Sequence, residues 1–163
     1  MATQKTAPAA ARTVSHGTFT IERELPYPPA RVFAAWADPR TKAQWFAAPK
    51  DVSKEVIRRQ EFKVGGKERL RSEWNNGRTS DFHGVYQDIV QDRRIVYSYN
   101  MYVNDEKISV SLATIEFEPA GKGTKLILTE QGAYLDGGID GHASREQGTR
   151  GLIANLEKVL ADG

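Results

Sequence analysis

The segment Gly141-His-Ala-Ser-Arg-Glu-Gln-Gly-Thr-Arg-Gly-Leu-Ile-Ala-Asn-Leu-Glu-Lys-Val-Leu160 decides the fold of this chain. Seven residues of this segment recur at the i, i+3, i+4, i+7 spacing of a single helical face. They are Gly148, Gly151, Leu152, Asn155, Leu156, Val159 and Leu160. Ser144 and Gln147 have the spacing of a capping box, so the predicted helix runs from Ser144 to Leu160. Such a helix must cover another element.

Two glycines leave the N-terminal half of this helical face almost bare, while bulky aliphatic residues fill its C-terminal half. Each of Gly148 and Gly151 costs roughly 1 kcal/mol relative to Ala inside a helix, so the empty space has a reason. Two reasons remain open: close approach of a neighbouring backbone, or a hollow beneath the helix. If the hollow exists, Gly151→Leu is expected to fill it.

The composition limits the class of protein. The chain has 163 residues, enough for one domain, with 39% hydrophobic and 27% charged residues. A net charge of +2 and a pI near 8.8 do not indicate a nucleic-acid binder. The absence of cysteine excludes disulfides, thiolate metal ligands and a cysteine nucleophile. Without a membrane-length apolar run or a signal-peptide core, we expect a cytoplasmic protein with no membrane or nucleic-acid partner.

The remaining elements follow from periodicity and turn residues. Residues 1–16 lack periodicity and are predicted to be a disordered tail, which leaves one domain over residues 17–162. Alternating residues predict a strand over Thr18–Leu25, and helical spacing after the prolines predicts helices over Ala30–Ala37 and Arg40–Ala47. Further strands are predicted at Val52–Phe62, Lys67–Trp74, Phe82–Ile89, Arg94–Tyr102, Ile108–Phe117 and Lys125–Gln131.

Strands joined in sequence by short turns favour an antiparallel meander, one face of which the C-terminal helix covers. The glycine-rich segment from Tyr134 to Gly141 is predicted to be a flexible lead-in that gates access to any hollow below the helix. An exposed sheet edge leaves a homodimer open.

Several aromatic residues are candidates for a pocket wall. Trp45 and Phe46 end a short helix beside a Pro-flanked loop, where core packing and a pocket lip are both open. Tyr97 and Tyr99 alternate with Ser98, so their phenols share one face of a strand, as core residues or as hydrogen-bonding anchors.

Two carboxylates fall on apolar strand faces: Glu130 with Leu126 and Leu128, and Glu68 with Leu70 and Trp74. Burial of a carboxylate is costly unless it is paired. Pairing with Arg23 or Arg145, a polar anchor in a cavity, and a raised-pKa acid or base remain alternatives. The three histidines, at positions 16, 83 and 142, do not pair at metal-ligand spacing, so no metal is expected.

These elements, in this order, resemble the helix-grip fold of the SRPBCC (START-like) superfamily, and within it the branch named for the activator of heat-shock-protein-90 ATPase. The segments that carry the resemblance are Pro29–Pro39, Trp45–Pro49, Phe62–Gly66, Gly84–Ile89, Arg94–Tyr99, Gly123–Glu130 and Gly148–Leu160. The chain departs from the family at two positions. Thr149 stands where the helix usually carries Trp, and Glu130 stands where relatives often have His.

The resemblance implies an α+β fold: a curved antiparallel sheet of six to seven strands, two short helices after the first strand, and a long C-terminal helix over the sheet. It also implies a cavity for a small hydrophobic or amphipathic molecule, without metal or cofactor. The residues expected to bind this ligand are Trp45, Phe46, Glu68, Trp74, Tyr97, Tyr99, Glu130, Tyr134, Gly148 and Gly151.

Two other functions remain open. One is a cofactor-independent cyclase or hydrolase that uses Glu130 or Glu68 as its acid–base. The other is a co-chaperone-like module that binds a protein.

Overall fold

A computed structural model describes residues 13–137 and 141–163 of the chain. Seven strands and three helices follow one another along these residues. They are β1 (Val14–Leu25), α1 (Pro29–Ala37), α2 (Pro39–Trp45), β2 (Ser53–Gln60), β3 (Lys67–Trp74), β4 (Thr79–Val90), β5 (Arg94–Val103), β6 (Glu106–Ala120), β7 (Gly123–Leu135) and α3 (His142–Asp162).

The strands form one antiparallel sheet in the order β1-β7-β6-β5-β4-β3-β2. Only β1 departs from a sequential meander, since it pairs with β7 at the far edge from β2. Register shifts in β2, β4 and β6 mark bulges, which bend strands and increase local twist. The helices cover one face of this curved sheet. The predicted α+β helix-grip architecture is therefore confirmed.

The core lies where α1 and α3 meet the sheet. The predicted helical face of α1 is correct, because Val32, Phe33 and Trp36 are all buried. The Trp36 ring packs edge-on against the ring of Phe117 in β6, with 5.4 Å between their centroids. Edge-to-face contacts of this kind add to the burial of aromatic area. These contacts fix α1 on the sheet.

The ends of two elements differ from the sequence prediction. The first strand starts at Val14 rather than Thr18, because the backbone of residues 14–17 pairs with β7 although these residues show no apolar alternation. Residues 1–12 of the predicted tail lie outside the described residues. At the other end, Tyr134 and Leu135 belong to β7 rather than to a flexible lead-in, and residues 138–140 lie outside the described residues.

The predicted capping box of α3 is wrong. The helix begins at His142, its N-cap is Gly141, and no side chain caps it. The buried face is also rotated from the predicted one: it contains Arg145, Ile153, Leu156 and Leu160, whereas Gly151 and Asn155 are exposed. A face drawn through the apolar and small residues misses Arg145, because the sequence does not show that this arginine is buried.

The start of α3 is held against β1 by a contact that requires a glycine. A Cβ atom on Gly17 would lie 1.9 Å from the Cδ2 atom of His142, far inside van der Waals contact. The His142 ring also packs against Phe19, with 5.8 Å between ring centroids.

We therefore expect Gly17→Ala to displace the His142 ring and to lower the free energy of unfolding by about 1–3 kcal/mol, the usual cost of overpacking. Denaturant unfolding of the variant checks this. Gly151→Ala is the control, since that glycine is exposed within α3 and nothing lies within 4 Å of a Cβ there, so this variant should not lose stability. A Gly17→Ala protein as stable as wild type would contradict the packing described.

Candidate functional site

A cavity of about 360 Å³ lies between the N-terminal half of α3, the segment after α2, and strands β3 to β5. This volume falls within the range of small-molecule sites, roughly 300–1,000 Å³. The lining residues are Phe46, Ala47, Ala48, Pro49, Leu70, Ser72, Trp74, Arg78, Ser80, Phe82, Tyr97, Tyr99, Met101, Val103, Glu130, Ser144, Arg145, Gly148, Thr149 and Leu152.

The strand residues reach the cavity because of the two-residue period of a strand, which places alternate side chains on one face. In β3 the lining residues are Leu70, Ser72 and Trp74, and in β5 they are the odd-numbered residues from Tyr97 to Val103. The cavity wall is therefore mainly apolar and aromatic, with a few polar groups.

A buried polar cluster contributes to one part of this wall. The Tyr99 hydroxyl donates a hydrogen bond of 2.9 Å to Oε2 of Glu130. Nη1 of Arg145 donates to the Tyr99 hydroxyl at 2.9 Å, and Nη2 donates to Oγ of Ser109 at 2.8 Å. Glu130 and Arg145 are both buried. The Tyr99 hydroxyl thus bridges the carboxylate of Glu130 and the guanidinium of Arg145, so each of these buried groups has a hydrogen-bond partner within the protein.

Burial governs the proton affinities of this cluster. Loss of solvent raises the pKa of Glu130 above its usual value, while the Arg145 charge, the Tyr99 hydrogen bond and the nearby His142 act in the opposite direction. Burial also raises the pKa of Tyr99, and the Glu130 carboxylate adds to this effect. Tyr99 therefore remains a neutral hydrogen-bond donor at physiological pH, and Glu130 is the group in the cluster whose ionisation responds to pH.

The stability of the fold should reflect this raised pKa of Glu130. Between the unfolded and folded pKa values the folded protein binds more protons, so this contribution to stability is lost as pH rises. Gln at this position cannot ionise. We expect the free energy of unfolding of wild type, minus that of Glu130→Gln, to decrease from about pH 4 to about pH 7.

Urea unfolding at a series of pH values measures this difference. Glu24→Gln, a change at an exposed carboxylate, should show no comparable trend. A difference between wild type and Glu130→Gln that grows with pH would mean that the protein stabilises the ionised form of Glu130.

A second buried cluster lies outside the cavity wall. Nζ of Lys42 donates to Oε1 of Glu68 at 2.6 Å, and the Tyr86 hydroxyl donates to the same oxygen. Both charged residues are buried. Burial lowers the pKa of Lys42, and the neighbouring Glu68 carboxylate offsets part of this effect. The predicted pairing of Glu68 with Arg23 or Arg145 is wrong, because its partner is Lys42 from α2.

The cavity brings together six of the residues predicted to bind a ligand: Phe46, Trp74, Tyr97, Tyr99, Glu130 and Gly148. The other four lie elsewhere. Glu68 is held by Lys42, and Trp45 lines a smaller hollow of about 20 Å³ and donates its indole N–H to the carbonyl of Ala35. Tyr134 packs beneath Arg145, whose guanidinium carbon is 5.5 Å from its ring centroid.

The fourth of these residues is Gly151, and the prediction that it marks the hollow is wrong. It is exposed, lies outside the cavity wall, and has nothing within 4 Å of the position that a Cβ atom would occupy. A leucine at this position would not fill the cavity.

Sequence reasoning missed several lining residues. Phe82 is buried and packs against Tyr99 with 4.8 Å between ring centroids, yet it begins a predicted strand and gives no separate signal. Arg78 lies in the hairpin between β3 and β4, where an arginine ordinarily indicates a solvated turn. Thr149 also lines the cavity. The only advance signal for Thr149 is its departure from the tryptophan usual in the resembled family.

No group of three or more His, Cys, Asp or Glu side chains within the described ranges is arranged to hold a metal ion. None of the helices seen in residues 13–137 and 141–163 is both long and apolar enough to cross a membrane.

Comparisons with known proteins agree with this architecture. The model of a family described as "Activator of Hsp90 ATPase homolog 1-like protein" matches residues 26–161. No curated protein matches the sequence.

Solved structures with the same fold include an uncharacterized protein from Rhizobium leguminosarum, with 39% identity and a TM-score of 0.88, covering 93% of this chain and 99% of that one. A protein from Rhizobium loti is 41% identical with a TM-score of 0.81, covering 90% of this chain and 99% of that one. A protein from Chromobacterium violaceum is 25% identical with a TM-score of 0.72, covering 88% of this chain and 96% of that one.

Proposed function

The chain belongs to the activator of Hsp90 ATPase homolog 1-like family of the SRPBCC superfamily, and from this premise we propose that its cavity binds a small amphipathic molecule. The ligand has a largely apolar body that lies against the aromatic residues of β3 to β5, below α3. Trp74, Tyr97 and Tyr99, which the sequence predicts as ligand contacts, are among those that line the cavity, together with Phe46, Glu130 and Gly148.

The observation that carries this proposal is the cavity itself. A domain of this size ordinarily packs its interior to high density, with few voids larger than a water molecule. A hollow of about 360 Å³ leaves the apolar side chains of its wall without the packing contacts that a bound molecule would supply. Its apolar wall with a few convergent polar groups is typical of a small-molecule site.

Titration with N-phenyl-1-naphthylamine tests the proposal, because this neutral probe fluoresces strongly only in an apolar site. We expect saturable binding of one probe per chain, and displacement by molecules that native mass spectrometry finds on protein purified from its own host. Absence of saturable binding, together with mass spectra that show only the bare chain, would contradict a ligand-binding cavity.

A second candidate function is a cofactor-independent enzyme with Glu130 as its acid or base. The observation that favours it is that Glu130 both lines the cavity and has a raised pKa. Incubation of the protein with the molecule identified by mass spectrometry distinguishes the two. An enzyme changes the mass of that molecule, and Glu130→Gln abolishes the change. A carrier returns the molecule unaltered.

A further inference from the structure

Arg78 is a cation of the cavity wall whose side chain forms no hydrogen bond among the described residues, whereas the guanidinium of Arg145 donates to Tyr99 and Ser109. The guanidinium carbon of Arg78 lies over the ring of Trp74, 5.1 Å from the ring centroid. Its Nε atom is buried without a hydrogen-bond partner, and within residues 13–137 and 141–163 no carboxylate forms an ion pair with the side chain. A guanidinium offers five N–H donors in a planar fork that matches a carboxylate.

The hairpin between β3 and β4 holds Arg78 in place. The Arg78 backbone N–H donates to Oδ1 of Asn76 at 2.9 Å, and its carbonyl accepts the Trp74 N–H at 2.8 Å. Gly77 supplies the positive φ of +86° that the turn requires. The Trp74 indole N–H in turn donates to Oγ of Ser80 at 3.0 Å. The backbone of Arg78 and the Trp74 indole beside its guanidinium are therefore held in place before any ligand binds.

The charges of the wall favour an anion. Among its lining residues the cavity has two cations, Arg78 and Arg145, and one carboxyl, Glu130. Arg145 and Glu130 are engaged with each other through Tyr99. Arg78 is left as the group with unused hydrogen-bonding capacity. It is also partly exposed, unlike the buried Glu130 and Arg145, so an anion reaches it without complete loss of water.

The rest of the wall favours an aromatic body. The cavity is lined by Phe46, Trp74, Phe82, Tyr97 and Tyr99, and the Phe82 ring already packs edge-to-face against both Phe46 and Tyr97. A flat ring extends such packing more favourably than a flexible alkyl chain, which loses rotamer entropy on binding.

We propose that the ligand is an aromatic carboxylate, with its ring among these side chains and its carboxylate paired with the guanidinium of Arg78. This inference rests on the proposed ligand-binding function and specifies its substrate class. The Trp74 ring lies against the guanidinium, and a guanidinium can donate two parallel hydrogen bonds to one carboxylate.

A pair of probes that differ in charge and little in shape tests the assignment: naphthalene-2-carboxylate and naphthalene-2-carboxamide. Isothermal titration of the wild-type protein at neutral pH is expected to show about tenfold or greater preference for the carboxylate. Arg78→Gln should remove this preference while binding of the carboxamide stays within about twofold. Octanoate is expected to bind more weakly than the naphthalene carboxylate.

Arg93→Gln is the matched control, because Arg93 is an exposed arginine in another turn and does not line the cavity. It removes the same formal charge and should leave the preference unchanged. Equal binding of the two naphthalene probes to wild type would overturn the assignment of an anion but leave the ligand-binding function intact. A preference that survives in Arg78→Gln would also overturn it, since another cation would then be responsible. If neither probe nor N-phenyl-1-naphthylamine binds, it is the proposed function that fails.

Discussion

Replacing Lys42 by Met is expected to lower the free energy of unfolding by about 3–5 kcal/mol, the usual cost of removing one partner of a buried ion pair. Lys42 and Glu68 are only 3% and 5% exposed, so water cannot replace the lost ammonium group. The Tyr86 hydroxyl still donates to Glu68 in the variant, but one neutral donor does not compensate a buried carboxylate. Denaturant unfolding followed by circular dichroism measures the effect.

The double variant Lys42→Met/Glu68→Leu separates the ion pair from general disruption of packing. Replacement of both charges by apolar groups of similar size often restores stability, because no unpaired charge remains. We expect the double variant to recover most of the loss. A double variant as unstable as Lys42→Met would show that the cost comes from altered packing around α2 and not from the stranded carboxylate.

Thr149→Trp is expected to weaken binding of N-phenyl-1-naphthylamine by about 100-fold or more, because an indole in the wall occupies space the probe needs and clashes replace contacts. Thr149 lines both the cavity and the hollow of about 20 Å³ beside it, and the latter is too small to hold an indole, so the cavity is the hollow that can take the added ring. The measurement is a fluorescence titration at matched protein concentrations.

Two controls accompany Thr149→Trp. Thr149→Ala removes the same hydroxyl, which donates to the carbonyl of Arg145 at 2.9 Å, but adds no volume, and it should bind the probe like wild type. Gly151→Ala lies on the exposed side of the same helix and should stabilise it by about 1 kcal/mol without changing affinity. Undiminished binding by Thr149→Trp would place the probe outside the cavity.

Most of the fold follows from the sequence because its signals are local. The alternation in residues 67–74 gives the bounds of β3 correctly, and the spacing of Val32, Phe33 and Trp36 identifies the buried face of α1. Strand pairing could be predicted as a meander because the turns are short. The start of β1 could not be predicted, because its first residues pair through the backbone and show no alternation of apolar and polar side chains.

The site is harder to predict from the sequence than the fold, because it depends on contacts between residues that are distant along the chain. Period two places Tyr97, Tyr99 and Trp74 on the sheet face that lines the cavity, and the structure agrees. The partner of Glu68 is a lysine on α2 that no strand or helix periodicity identifies. The rotation of α3 has the same origin: Tyr99 and Ser109 accept hydrogen bonds from the buried Arg145, and neither contact is visible along the chain.

The most direct measurement of where a ligand binds is a set of intermolecular nuclear Overhauser effects between N-phenyl-1-naphthylamine and methyl groups of the protein. Leu70, Met101 and Leu152 line the cavity from β3, β5 and α3, whereas Val110 and Leu112 are exposed at 44% and 38% on the opposite face of the sheet. We predict cross-peaks from the probe to the methyls of Leu70, Met101 and Leu152, with none to Val110 or Leu112. Cross-peaks confined to Val110 and Leu112 would contradict binding between α3 and the sheet.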